Sequence, residues 1–362
     1  MGSVPGRTGA VERRPWFWWA SSRGARLLRA GLGILAALLT VPLTLARAIG
    51  GGTPYPAPVL AAVSPYGVLT ATVALVLASW ARLWWLCAAA AALLLVHLLW
   101  IVPSLVGGQC TTGDRFPGAW GGGRCAARDG HGEPVTVMVS NAYLGRADAG
   151  AMVQAVRERR VDVLVVPELT AELRARLRAA GLDTLLPWSL LDPQPGASGT
   201  GLWSRFPGTP LAQDGPFRYA VPRARLTLPG GGTLTMTGVH LVPPFAGQLG
   251  QWKAELAALG TQFRATQGAA VIAGDFNTTR DHAGFRQLLA TGLRDAADSV
   301  GAPSAWPGNT WPANRWFGPV MRIDHVLGSR GLVVARSVRT VRIPGTDHLA
   351  VVAGVQVVAP RP

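Results

Sequence analysis

The chain has 362 residues, 49% hydrophobic and 15% charged, with a formal net charge of +15. That length leaves room for more than one unit, and the absence of an internal repeat excludes a repeat array. The charge is uneven: eight of the 34 basic residues lie at or before Arg82 against one acid, Glu12, giving +7, and the other 26 face 18 acids, giving +8. The second share suits a phosphate-bearing or polyanionic substrate, and follows equally from an Ala/Arg/Gly/Pro-rich composition.

Residues 1–26 form a basic tail, and residues 27–105 contain three apolar stretches, at about 27–48, 57–81 and 83–105. Each approaches or exceeds the roughly 20 residues that span a bilayer. Arg29 and Arg47 sit near the ends of the first, where long side chains can snorkel. Trp16, Trp18, Trp19, Trp80, Trp84, Trp85 and Trp100 fall at or near the expected interfaces. The cluster Arg7, Arg13, Arg14, Arg23, Arg26 and Arg29 predicts a cytoplasmic N-terminus, and Arg82 a cytoplasmic turn. Three spans then place everything after about Leu105 outside, in a multi-pass protein of the plasma membrane. Ala46-Arg47-Ala48 has the pattern of a signal-peptidase site, whose cleavage would leave the later domain outside as well. A transporter or channel would need charges or broken helices within the spans, and three plain spans do not supply them.

Residues 106–133 are rich in Gly, Arg and Pro and read as an extracytoplasmic linker. Cys110 and Cys125 within it suit a disulfide in an oxidising space, with free thiols or a metal site as alternatives. The rest, 134–360, is a globular domain of mixed strands and helices. Strands are predicted at 135–139, 161–166, 201–203, 223–228, 234–239, 270–273, 322–327, 333–341 and 350–358. Helices are predicted at 147–159, 171–180 and 283–289, and across Leu249, Trp252, Leu256, Leu259 and Phe263, which have helical spacing. Packed sheets covered by helices are the expected architecture.

Polar residues recur where these strands end or begin: Asn141, Glu168, His240, Asp275 with Asn277, Asp324 with His325, and Asp347 with His348. The most informative of these segments is Val271-Ile272-Ala273-Gly274-Asp275-Phe276-Asn277. Residues i and i+2 of an extended chain share a face, so an acid and an amide point together out of a strand end. A carboxylate that holds water or metal beside a neutral hydrogen-bond donor suits phosphate-ester hydrolysis.

In order and spacing, these segments resemble the endonuclease/exonuclease/phosphatase superfamily, with its DNase I-like fold. The resemblance is carried by Asn141, Pro-Glu at Glu168, Ser-Arg-Phe-Pro at Arg205, Val-His-Leu at His240, Gly-Asp-Phe-Asn at 274–277, Arg-Ile-Asp-His at 322–325 and Thr-Asp-His at 346–348. It implies an α/β (α+β) four-layer sandwich, two packed β-sheets flanked by helices, that cleaves phosphodiesters with a divalent cation, usually Mg²⁺, with Mn²⁺ an alternative. It implies Glu168 as metal ligand, supported by Asn141, with Asp347 contributing to the metal region. Asp275 is implied to orient or deprotonate water, Asn277 to hold the scissile phosphate, and His348, oriented by Asp324, to contact phosphate or transfer a proton. His240 is implied to bind phosphate or protonate the leaving group. His325 reads as a neighbour of Asp324, and Arg205 either braces loops or touches substrate.

The family includes nucleases, lipid phosphodiesterases of sphingomyelinase type and inositol-phosphate phosphatases. The Trp-Cys-Asp-Arg segment shared by the inositol phosphatases is missing; the chain reads Trp311-Pro-Ala-Asn-Arg315-Trp316 instead. A nuclease acting on DNA or RNA would use Trp311, Arg315 and Trp316 for stacking and phosphate contact. A lipid phosphodiesterase acting on headgroups would gain from tethering to the membrane. A catalytically inactive membrane-held binding module is the reading from another class, and the presence of Glu168, Asp275 and His348 speaks against it. No protein partner is evident.

Overall fold

The computed structural model describes residues 23–50, 54–105, 132–300 and 308–358. The basic residues before Arg23 and the cysteines Cys110 and Cys125 lie outside them.

The chain divides into two compact units, one of residues 1–42 with 66–96, the other of residues 43–65 with 97–362. Among the described residues, three helices are long and apolar enough to cross a membrane. The first apolar stretch forms helix α1 (Arg23–Ile49). The second is broken: α2 (Ala57–Ala62) ends before a 3₁₀ turn at Ser64–Tyr66, and α3 (Gly67–Ala81) follows. Pro65 lies in that turn, where a helix-interior amide donor would otherwise be needed. The third forms α4 (Trp84–Leu105). Within the first unit, Ala36, Ala37, Ala74, Ala78, Leu86 and Ala90 pack together. Small side chains of this kind let helix backbones approach closely when the surroundings are as apolar as the helices.

The second unit carries twelve strands among the described residues, in two six-stranded sheets. The first sheet is ordered β11 (Val333–Arg342), β12 (Leu349–Val358), β1 (Gly132–Val139), β2 (Val163–Pro167), β4 (Thr200–Ser204), β3 (Trp188–Asp192). The second is ordered β5 (Gly208–Pro210), β6 (Arg223–Thr227), β7 (Thr233–His240), β8 (Ala269–Asp275), β10 (Asp324–Ser329), β9 (Leu293–Asp295). Period-two alternation builds the layers. Val135, Val137, Val139, Val163 and Val165 meet Leu234, Met236, Val271 and Ala273 between the sheets. The alternate residues Met138, Leu164 and Val166 face outward and pack with Met152, Val156, Leu173 and Leu177 of helices α5 (Ala149–Glu158) and α6 (Ala171–Ala179). Ile272 and Leu327 pack with Trp252, Leu256, Phe285 and Leu288 of α8 (Leu249–Ala265) and α9 (Ala283–Ala290), the short α7 (Leu182–Leu185) preceding them in the chain. The result is the expected helix–sheet–sheet–helix sandwich.

Strands buried on both faces read as unbroken apolar runs, which is why β2 and β8 stood out in the sequence. Three strands were not predicted: β3, β5 and β9. Each lies at a sheet edge, and β5 and β9 have three residues, too few to show alternation.

Each sheet contains one parallel pair, β1 with β2 and β7 with β8. Their antiparallel neighbours run the other way, so β12 and β10 begin where β1, β2, β7 and β8 end. Topology alone therefore gathers six strand termini at one end of the sandwich. Gly274 lets β7 and β8 close there: it has φ +152°, and a Cβ at this position would lie 1.9 Å from the Val239 carbonyl oxygen. Gly274→Ala is expected to lower stability by about 3 kcal/mol or more, measured by thermal unfolding of the full chain. A melting temperature unchanged from wild type would contradict this packing.

Candidate active site

The register places His240 opposite Asp275 and Asp324 opposite Asp275 on its other side. Asp275 is thus the centre of the second sheet's contribution. Its Oδ1 accepts from the Asn277 backbone N–H at 2.8 Å, and its Oδ2 accepts from Asn141 Nδ2 at 2.9 Å. That second bond joins the two sheets. The same Oδ2 lies 3.7 Å from His240 Nε2 and 3.8 Å from His348 Nε2.

Asn141 is the bridging amide. Its Nδ2 also donates to Glu168 Oε1 at 3.1 Å, and its Oδ1 accepts from the Tyr143 N–H at 2.9 Å. Glu168 Oε2 accepts from the Leu144 N–H at 2.6 Å, and Oε1 is 3.9 Å from His240 Nε2. Glu168 and Asn277 both adopt left-handed backbone conformations, with φ of 60° and 47°. Such conformations persist in non-glycine residues where surrounding contacts over-determine them, commonly at functional sites.

Two histidines have fixed roles in this network. His240 Nδ1 donates to the Ala197 carbonyl at 2.9 Å, so Nε2 faces the cluster; Asn277 Nδ2 is 3.4 Å from that Nε2 and donates to the Leu241 carbonyl at 2.8 Å. Tyr219 lies against the His240 ring at 4.9 Å between centroids. His348 Nδ1 donates to Asp324 Oδ2 at 2.8 Å, which turns Nε2 toward Asp275 and Asp347. Burial acts against a charged His348, but the adjacent Asp324, helped by Asp275 and Asp347, outweighs it and raises the pKa to about 10. Burial, then the Asp324 charge, raises Asp275 to about 6 against the opposing pull of both histidines and the Asn277 N–H.

Asp347 is held by Trp311, whose Nε1 donates to Oδ2 at 3.1 Å. The buried Oδ1 atoms of Asp347 and Asp324 have no hydrogen-bond partner. Four carboxylates (Glu168, Asp275, Asp324 and Asp347) therefore converge with two spare buried oxygens. An oxygen-rich, over-negative donor set of this kind fits a hard divalent cation. Asp275, Asp324 and His348 also bring ligand atoms within 4.8 Å of one another. The carboxylate oxygens are the harder donors of this set and suit such a cation better than the His348 nitrogen.

Arg205 is not brought to this cluster. Its Nε donates to Asp162 Oδ1 at 2.8 Å and its Nη2 to the Val161 carbonyl at 3.1 Å. Ser204 pairs with Val163, so this contact lies at the opposite end of β2 from Glu168. Arg205 braces that end of β2, away from the cluster where a substrate contact would lie. Arg315 is exposed in the loop between Trp311 and Met321, followed by Trp316, 96% exposed, and Phe317, 51% exposed. Trp311 and Met321 close that loop by an isolated bridge, which carries it beside Asp347.

Sequence reading missed several supports. Thr346 Oγ1 donates to the Asn141 carbonyl at 2.8 Å and accepts from the His348 N–H at 3.1 Å, tying the start of β12 to the end of β1. His325 faces away from the cluster, with Nδ1 2.6 Å from Asp295 Oδ2 and Nε2 donating to the Thr278 carbonyl at 2.9 Å. Asp295 lies in β9, whose shortness hid it. Backbone acceptors such as Ala197 O leave no residue-type signal at all.

Compared with known families, residues 138–348 match the Endonuclease/Exonuclease/phosphatase family. The chain belongs to this family. Among solved structures, it is similar to humanized D. rerio TDP2, at 14% identity over 61% of this chain and 98% of that one, with TM-score 0.50. It is similar also to an endonuclease/exonuclease/phosphatase from Bacteroides vulgatus (13% identity, 62% and 99% covered, TM-score 0.48) and one from Beutenbergia cavernae DSM 12333 (18% identity, 62% and 72% covered, TM-score 0.45). No curated protein matches the chain. As a member of the endonuclease/exonuclease/phosphatase family, with an acid–histidine cluster at the shared end of its two sheets, the protein is a hydrolase of the phosphoesterase type.

Proposed function

We propose that this protein is a membrane-anchored, divalent-metal-dependent phosphodiesterase, a nuclease acting outside the cytoplasm. The observation that carries the reading is the inter-sheet cluster, in which Asp275 is bonded through Asn141 to Glu168 and faced by His240 and His348. Glu168, supported by Asn141, with Asp347 adjacent, would hold Mg²⁺ or Mn²⁺. When bound, the cation supplies charge neutralisation at the phosphate.

The chain's own residues do the rest. Asp275, ionised above about pH 6, accepts a proton from water. Asn277, whose Nδ2 points toward His240 and the Leu241 carbonyl, offers a neutral donor to a phosphate oxygen. His348, held charged by Asp324, faces developing negative charge. His240 presents Nε2 to the leaving oxygen.

The kcat/KM profile is expected to rise as Asp275 ionises near pH 6 and to fall as His348 loses its proton near pH 10. The signs follow from the required forms: an ionised carboxylate and a protonated imidazole. A profile falling steadily from about pH 5 would contradict both assignments.

A nucleic-acid substrate is favoured by the basic excess of the domain and by exposed Arg315 and Trp316 beside Asp347, placed for phosphate contact and base stacking. The neighbouring exposed Phe317 and the three apolar helices favour a second reading, a lipid phosphodiesterase working at its own membrane. The full chain in nanodiscs should be offered plasmid DNA, single-stranded DNA, RNA, sphingomyelin and bis(p-nitrophenyl) phosphate. Nucleic-acid cleavage is the expected result; sphingomyelin turnover alone would replace the nuclease reading with the lipid one. Outward placement rests on the positive-inside rule, and a C-terminal reporter active in the cytoplasm would overturn it.

A further inference from the structure

The segment linking β8 to α9 follows directly from Asp275 and Asn277, and it is unusually polar for buried chain. Thr278, Thr279, Asp281 and His282 are all buried. Two of its contacts are to the core: Trp252 Nε1 donates to Thr278 Oγ1 at 2.9 Å, and His325 holds the Thr278 carbonyl. His282 also packs edge-on against Trp252, Arg280 pairs with Asp298, and Asp281 and His282 reach residues 43–65, which belong to the same compact unit as the sandwich.

Arg47, in the last turn of α1, forms an ion pair with Asp281, with side chains 8% and 2% exposed. Arg286 reaches across the same junction: its Nη2 donates to the Arg47 carbonyl at 3.2 Å and its Nη1 to the Asp281 carbonyl at 2.5 Å. The Arg47 guanidinium lies 4.6 Å from the centroid of the Trp100 ring. His282 Nδ1 accepts from the Thr279 N–H, so Nε2 carries the proton it donates to the Pro58 carbonyl at 2.8 Å. Gly50, at φ +46°, allows the chain to pass Ala283, whose Cβ would lie 2.7 Å from a Cβ at position 50.

We infer that Arg47 is a positioning residue for the active site, and that the end of the first apolar helix is an integral part of the catalytic unit rather than a tether. A buried carboxylate needs a partner, and removing one member of a buried pair leaves an uncompensated charge. Arg47 neutralises Asp281 and, with Pro58, fixes the linking segment from its far end. Asn277, at its near end, holds a left-handed conformation that survives only while its surroundings enforce it. Loss of Arg47 lets that segment relax and withdraws the Asn277 donor from the phosphate. On this inference the mature protein is expected to keep α1, because cleavage after Ala48 in Ala46-Arg47-Ala48 would strip out Arg47.

This inference rests on the phosphodiesterase reading for its kinetic consequence but not for its structural one. The full chain in nanodiscs is compared with Arg47→Ala, Asp281→Asn and Arg47→Ala/Asp281→Asn, using bis(p-nitrophenyl) phosphate with Mn²⁺ and hydrogen exchange. Arg47→Ala is expected to lose at least about tenfold in kcat with KM within about threefold, and the double variant to recover part of the loss. Amides of residues 276–282 exchange faster in Arg47→Ala, with the strands unchanged. Wild-type kcat in Arg47→Ala, unaltered exchange at 276–282, or a double variant no better than the single one would each overturn the inference. If Arg47→Ala does not fold, exchange in Asp281→Asn decides, because it breaks the same buried pair from the other side: faster exchange at 276–282 than in wild type is expected, and unaltered exchange would overturn the inference. A wild type inert toward the substrate sinks the phosphodiesterase reading and leaves exchange to decide this one. Intact mass of the membrane-extracted protein should include Arg47; a chain starting at Ile49 would also overturn it.

Discussion

Asp275→Asn is expected to lower kcat about 10³-fold and to leave the protein folded. The size follows from what a positioned general base contributes, about 10²–10⁴-fold. The retained fold follows from the environment. Asp275 is buried, and burial with the neighbouring Asp324 raises its pKa to about 6. Its ionisation is therefore unfavourable to the folded state above that pH, and a neutral isostere removes the penalty. Asparagine keeps one of the two acceptors, its carbonyl oxygen serving either the Asn277 N–H or Asn141 Nδ2, and the lost bond, about 1–3 kcal/mol, offsets the relieved burial of charge. At pH 8 the variant should melt close to the wild-type temperature. Lower melting together with lost activity would mean that Asp275 serves structure rather than reaction.

The second large effect belongs to the Asp324–His348 pair. His348→Gln is expected to cost about 10²–10³ in kcat, the scale for removing a preorganised donor from developing charge. Asp324→Asn should cost less and should also move the pH profile, which a merely structural role would not do. Asp324 is the largest influence raising His348, so its neutralisation lowers that pKa and shifts the alkaline limb to lower pH. His348 contributes stability that is complete below its unfolded pKa of about 6.5 and is lost as pH rises through about 10. Asp324→Asn should therefore also narrow the gap in melting temperature between pH 6 and pH 10. An unmoved alkaline limb would separate Asp324 from His348.

Much of this site was legible because its residues terminate strands that are themselves legible. β1, β2, β7 and β8 are apolar, partly β-branched runs, and Asn141, Glu168, His240 and Asp275 mark their ends. Their convergence was not readable from any one segment, because it depends on two parallel pairs lying in facing sheets. Arg205 shows the reverse: its Ser-Arg-Phe-Pro segment fits the family, yet pairing with β2 carries it to the far end of that strand. Arg47 read as a snorkelling interface residue, since its partner Asp281 lies more than 200 positions away in sequence. The second apolar stretch read as one span because its interruption rests on a single Ser-Pro step within apolar sequence.

Hydrolysis of bis(p-nitrophenyl) phosphate by the full chain in nanodiscs, with Mg²⁺ or Mn²⁺ and then with EDTA, tests the central claim most directly. Turnover that EDTA abolishes, that added cation restores, and that Glu168→Ala and Asp275→Asn both lack is the expected result. Turnover indifferent to EDTA and equal in wild type and both variants would contradict it.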